Sequence, residues 1–178
     1  MRSPIFLRVF SWLVLLSTTL VACTSSPSLP LKLASFAENE VSVSINLEQP
    51  SAGNYIISAT FTPPDGYHLY SKDIPVHGIN GIGRPTLLEL TSYSSMKARA
   101  GLAENIPAEI FYFEHNEFMV YPLGAVTLSL PVEIPQGKRW LSDKLKITFM
   151  ACSSTQCKPP VEGKIISIRI PAANMFDN

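Results

Sequence analysis

The sequence predicts an all-β sandwich of about eight strands, and three observations predict it. From Glu40 onward apolar and polar residues alternate with period two, the signature of half-buried strands. Turn-forming clusters punctuate these runs, and the chain carries 15 Pro in 178 residues, about twice the ordinary share and more than long helices tolerate. Beyond the N-terminal segment no stretch repeats apolar residues at helical spacing.

The elements follow in order. Val41, Val43, Ile45 and Leu47 alternate with Ser42, Ser44, Asn46 and Glu48 in a first strand. In the second, residues 55–62, Tyr55, Ile57, Ala59 and Phe61 share a face, and Pro63-Pro64-Asp65-Gly66 ends it in a turn. Residues 67–70 resume as a short strand, 78–85 form a loop with three Gly, and 86–91 form another strand. Residues 92–108 are ambiguous: 94–104 read as a short helix or as an irregular excursion. An aromatic-rich run at 110–121 follows. Val126, Leu128, Leu130 and Val132 alternate again, and strands at 144–152 and 164–170 close the domain. Strands at this spacing suit two sheets that each hide one face against the other.

With 14 Lys+Arg against 14 Asp+Glu and no basic run longer than two residues, nucleic acid is not an expected partner, because phosphate binding needs clustered cations. The 46% apolar content with 10% aromatic residues excludes a disordered chain.

At the N-terminus, Arg2 and Arg8 precede an apolar stretch at 9–20 that is short for a bilayer span, and small residues lead to Leu20-Val21-Ala22-Cys23. This is the pattern of a secretory signal. Leu-Val-Ala-Cys also resembles the bacterial lipobox, in which the cysteine becomes the lipid-bearing N-terminus. The chain then divides into a signal peptide (1–22), a tether lipidated at Cys23 (23–39) and a folded domain (40–173). An ordinary signal peptide with an incidental Cys23 is the alternative. Thr24 in place of Asp points, by resemblance to enterobacterial sorting, to the outer membrane.

Two cysteines remain, Cys152 and Cys157, and in an oxidising compartment such a pair is expected to bond across the Ser153-Ser154-Thr155-Gln156 loop. Leu145, Ile147, Phe149 and Ala151 share one side of their strand while Cys152 lies on the other, off the main core. Closing a loop of this length restricts the unfolded chain by only ~2 kcal/mol, against ~5 for a hundred-residue loop. Pro159 and Pro160 cannot donate to a ladder, so that flank stays open. Spacing alone leaves both a structural hairpin bond and a redox bond open.

Four segments, in this order, carry a resemblance. They are Pro64-Asp65-Gly66-Tyr67-His68-Leu69-Tyr70-Ser71-Lys72, Ile110-Phe111-Tyr112-Phe113, Leu128-Ser129-Leu130-Pro131-Val132, and Phe149-Met150-Ala151-Cys152 with Cys157-Lys158-Pro159-Pro160. Together they resemble the N-terminal periplasmic domain of the thiol:disulfide interchange protein DsbD. The resemblance implies an immunoglobulin-like sandwich that uses no cofactor and cycles Cys152 and Cys157 between dithiol and disulfide. It also implies that His68 and Tyr70 line the cysteine site and that Phe111, Tyr112 and Phe113 cap it. Electrons would arrive from a membrane-bound module and leave to periplasmic thioredoxin-like proteins. The sequence contains no Cys-x-x-Cys and no apolar stretch after residue 23 long enough to span a bilayer. A separate membrane electron donor is therefore expected, with the domain held by its lipid on the periplasmic side of the cell envelope.

Blander readings stand beside these. Lys158 adjoins Cys157, where a positive neighbour would lower a thiol pKa, but reads first as a solvated side chain. His68 reads as site-lining or as a surface strand residue, since alternation sets it opposite Tyr67 and Leu69. His77 and His115 read as surface loop residues, and Phe111, Tyr112 and Phe113 as ordinary strand and core residues. His68, Met150, Cys152 and Cys157 offer soft ligands for Cu(I) or Zn(II). A disulfide-braced, lipid-tethered binding module without chemistry is the third class.

Overall fold

The structure, a computed structural model, describes residues 27–113 and 115–176. The expected signal segment, Cys23 and the start of the tether lie outside the described residues. Among those described, the chain is an all-β, immunoglobulin-like sandwich of thirteen strands, four of them only two residues long, followed by a short 3-10 turn at Ala173–Met175.

The larger sheet holds β1 (Leu31–Glu38), β2 (Val41–Ser51), β3 (Asn54–Thr62) and β10 (Val126–Glu133) in that order, all antiparallel. Its far edge is completed by β6 (Lys97–Ala98) and β7 (Ala103–Glu104), each paired to β10. The second sheet runs β13 (Val161–Pro171), β11 (Trp140–Phe149), β5 (Leu87–Leu90). Two small pairs complete the fold: β4 (His68–Leu69) with β12 (Ala151–Cys152), and the hairpin of β8 (Glu109–Phe113) with β9 (Asn116–Val120).

Alternation builds the core. The inward residues of β2, β3 and β10, among them Ile45, Leu47, Ile57, Phe61 and Leu128, face Leu145, Ile147 and Phe149 of β11 and Leu88 of β5, all essentially without solvent contact. Phe61 and Phe149 meet edge to face with ring centroids 5.8 Å apart. Phe61→Ala is expected to lower stability by about 3–5 kcal/mol, read as a lower urea midpoint at unchanged slope.

The structure revises the sequence reading in two places and decides one reading left open, at residues 94–104. The folded unit begins at Leu31, inside the stretch read as tether, because Leu31, Leu33 and Phe36 pack half-buried against the core beside β2. A bulge between Lys32 and Ala34 breaks the alternation that would have marked this strand. Residues 94–104 contain no helix. The Asp143 carboxylate accepts hydrogen bonds from the Ser95 amide at 2.9 Å and the Ser95 and Ser94 hydroxyls at 2.7 and 3.1 Å. That anchor drives Met96 into the core and lays the following residues along β10. Finally, the aromatic run at 110–121 folds back on itself as the β8–β9 hairpin, with His115 at φ +66° in the turn.

The site is positioned by a change of partner at Met150. There the chain leaves the β11 ladder, and Ala151–Cys152 pairs with His68–Leu69 instead. Leu69 and Ala151 still face the main core, while Cys152 enters a second, smaller cluster with Tyr70, Ile74, Phe118 and Val120. Cys152 therefore lies off the main core but is not exposed. No helix among the described residues is long and apolar enough to cross a membrane.

Candidate functional site

The site begins at the turn before β4. Tyr67 N–H donates to the Pro64 carbonyl at 3.1 Å, and Gly66 takes φ +78°, a conformation disfavoured for residues with a Cβ. The turn delivers His68 opposite Cys152 and Leu69 opposite Ala151. The next residue, Tyr70, is fixed by its neighbours: its carbonyl accepts from the Thr86 hydroxyl at 2.7 Å, while Ser71 N–H and Tyr121 N–H bond the flanking backbone to Met119 and Leu69 at 2.8 Å.

Cys152 and Cys157 form a disulfide, with Cα atoms 4.0 Å apart. The intervening loop is closed by Ser153 N–H to the Gln156 carbonyl and Lys158 N–H to the Ala151 carbonyl, both 2.8 Å. The Gln156 amide also donates to the Tyr67 hydroxyl. The two sulfurs differ sharply in access: Cys152 is 2% exposed, whereas Cys157 is exposed. The Tyr70 hydroxyl donates to the Cys152 sulfur at 3.2 Å.

A cleft of about 320 Å³ opens over the bond. It is lined by the buried His68, Tyr70 and Phe118, by the 153–157 loop, and by Phe111, Phe113, Gly81 and Ile82. The 78–84 loop is held by reciprocal Ile79–Ile82 backbone bonds of 2.9 and 3.0 Å and by Arg84, whose guanidinium donates to the His77, Gly81 and Gly83 carbonyls. At the tips, the Asn80 amide donates to the Asn116 side-chain oxygen at 2.8 Å and ties this loop to the aromatic hairpin. Two larger grooves, of about 650 and 710 Å³, lie beside Asp143 on the second sheet. Neither is lined by a cysteine or histidine.

No carboxylate or ammonium among the described residues lines the cleft. Burial lowers the His68 pKa and raises that of Tyr70, in each case by disfavouring the charged form. The His68 ring is 5.5 Å from that of Tyr70 and 5.2 Å from that of Phe111, centroid to centroid. Its Nε2 is buried without a hydrogen-bond partner. Lys158, read from the sequence as solvated, instead donates to the Glu40 carboxylate at 2.6 Å, with its ammonium 4.9 Å from the Tyr67 ring centre; this hydrogen bond to Glu40 raises its pKa. The residues lie far apart in the chain, so the pairing leaves no trace in local sequence.

No protein-family model matches the chain, and no curated protein matches it. Among solved structures, the N-terminal domain of DsbD from Neisseria meningitidis, in its reduced form, aligns at 15% identity and a TM-score of 0.44, covering 72% of this chain and 83% of that one. The N-terminal periplasmic domain of ScsB from Proteus mirabilis aligns with a TM-score of 0.50 at 12% identity, covering 83% of this chain and 56% of that one. The chain shares its fold with this ScsB domain.

Within this fold, Cys152, Cys157, His68, Tyr70, Phe111 and Phe113 converge on one cleft. Tyr112, 67% exposed, lies on the outer face of the hairpin instead, because strand alternation sends it away from its two neighbours. His77 and His115 are exposed in loops. No group of three His, Cys, Asp or Glu side chains among the described residues is arranged to hold a metal ion. Sequence reasoning missed Phe118, the cross-strand partner of Phe111, and the Gly81–Ile82 wall. A fold-back within the aromatic run and the closely spaced glycines of the loop were the available signals.

Proposed function

We propose that this domain is a thiol–disulfide exchange module of the bacterial periplasm, passing electrons between a separate membrane-bound donor and thioredoxin-like proteins through Cys152 and Cys157. The single observation that carries the reading is the unequal burial of the two sulfurs beneath an aromatic-walled cleft. A bond with one accessible sulfur and one hydrogen-bonded, buried sulfur has a defined point of attack and a defined leaving group.

The reaction balances as follows. A partner thiolate attacks Cys157 Sγ, the bond to Cys152 breaks, and Cys152 departs as a thiolate beneath the Tyr70 hydroxyl. The partner's second thiolate then attacks its own sulfur in the mixed disulfide and releases Cys157. The partner is oxidised, the domain is reduced, and the two protons of the partner's thiols end on Cys152 and Cys157. The reverse sequence oxidises the domain. Phe111 and Phe113 limit access by thiols that make no other contact with the domain, and a docking partner displaces them. Lipidation at Cys23 would hold the domain at the envelope surface.

Mixing the oxidised domain with a reduced thioredoxin-like protein is expected to leave two alkylatable thiols on the domain and a disulfide on the partner. Retention of the Cys152–Cys157 bond while the partner stays reduced would contradict the proposal.

A further inference from the structure

We infer that His68 is the proton acceptor for Cys152, taking the thiol proton when the reduced pair closes into the disulfide. The inference rests on the exchange reading and assigns it an acid–base residue.

Three observations place the imidazole for this task. His68 is the cross-strand partner of Cys152, and directly opposed residues in an antiparallel pair project to the same face with Cβ atoms about 5 Å apart. Both line the same cleft. Finally, His68 is 8% exposed and its Nε2 is buried without a partner, an arrangement that costs free energy unless the atom has work in another state of the site. Reduction creates that state, because it places a second titrating group, the Cys152 thiol, beside the unpaired nitrogen.

The surroundings favour a neutral base in the oxidised protein. The titratable groups facing the ring are Tyr70 on its own segment, Cys152 on β12 and Cys157 in the loop beyond it; Phe111 on β8 brings no charge. Lys158 is occupied by Glu40. Burial lowers the imidazole pKa, so Nε2 presents a lone pair when the other nitrogen carries the proton. In closure, this lone pair accepts the Cys152 proton, the thiolate attacks the Cys157 sulfur of a mixed disulfide, and the partner leaves as its thiolate. The imidazolium then gives its proton to solvent. Tyr70 donates to the same sulfur from its own hydroxyl and steadies the transient charge.

The step can be watched without a protein partner. One equivalent of 5,5′-dithiobis(2-nitrobenzoate) added to the reduced protein labels the exposed Cys157 and releases one thionitrobenzoate. Attack by Cys152 then releases a second. For His68→Gln, the second release should be on the order of 100-fold slower near neutral pH. It should approach the native rate above about pH 8.5, where the thiol ionises unaided. Unchanged kinetics, or slowing by one factor at every pH, would overturn the inference. A measurement on the unsubstituted protein covers a variant that does not fold: the His68 NMR titration midpoint should differ between the reduced and the oxidised domain, because reduction gives Nε2 a titrating partner, and an identical midpoint would overturn the inference. Failure of the exchange reading gives a different result, with the oxidised native domain keeping its Cys152–Cys157 bond in the presence of a reduced thioredoxin-like protein whatever the His68 kinetics.

Discussion

Cys152→Ser is expected to accumulate a reductant-cleavable adduct with a thioredoxin-like protein whose own second cysteine has been replaced and whose first is activated as a mixed disulfide. Cys157→Ser should form almost none under the same conditions. The contrast follows from access. Cys157 projects from an exposed loop, so its thiol remains available when Cys152 is removed. Cys152 sits at 2% exposure beneath Tyr70 and beside Phe118, and reaches a partner only through the sulfur of Cys157. With neither protein able to resolve the adduct, it persists and is read on a non-reducing gel. Equal yields from the two variants would show that the assignment of attacked and leaving sulfur is wrong, and no adduct from either would remove exchange chemistry altogether.

The second large effect is expected at a residue that bears no functional group. A Cβ on Gly83 would stand 2.8 Å from Cε1 of Tyr70, and Gly83 has φ +80°. Gly83→Ala therefore strains the backbone and drives into the ring that covers Cys152. The left-handed conformation costs about 1–2 kcal/mol and overpacking a further ~1–3 kcal/mol, so unfolding should begin at clearly lower denaturant. If the fold holds, the Tyr70 ring must shift and its hydrogen bond to Cys152 is lost. Tyr70→Phe separates the two contributions, because it removes the hydroxyl and keeps the ring. A hydrogen bond to a charged group contributes about 1.5–3 kcal/mol against about 0.5–1.5 for a neutral one. The hydroxyl thus stabilises the departing thiolate more than the disulfide, and Tyr70→Phe should slow reduction by on the order of tenfold with a smaller change in stability. Equal reduction rates for Tyr70→Phe and the native domain would mean that the 3.2 Å contact has no part in the chemistry.

Much of this site was legible in the sequence because strand alternation is strict where one face is buried. The separation of Cys152 from Leu145, Ile147, Phe149 and Ala151 follows from counting by twos, and the second cluster occupies the side that count assigns to Cys152. The pairing of Cys152 and Cys157 was legible from the short loop between them. What was hidden depends on long-range partners. The opposition of His68 to Cys152 arises only because the chain changes ladders at Met150, and nothing near either residue encodes that exchange. Likewise Lys158 finds Glu40 across the fold, and residues 97–104 become strand fragments because β10 offers an edge and Asp143 anchors the preceding serines. Strand β1 escaped notice for another reason: its residues are half-buried, with a bulge, so its contrast between faces is weak. The aromatic hairpin shows an intermediate case. The family resemblance implied a cap, but only the pairing of β8 with β9 decides that Phe111 and Phe113 face the disulfide while Tyr112 faces away.

A loop of this size stabilises the fold by only ~2 kcal/mol, so the account does not require the disulfide to be permanent. The equilibrium reduction potential of the Cys152–Cys157 couple, measured against glutathione or dithiothreitol buffers, tests this most directly. The account predicts a value above about −300 mV, in the range of proteins that exchange disulfides. A value well below about −300 mV would identify a structural bond and contradict the proposed function.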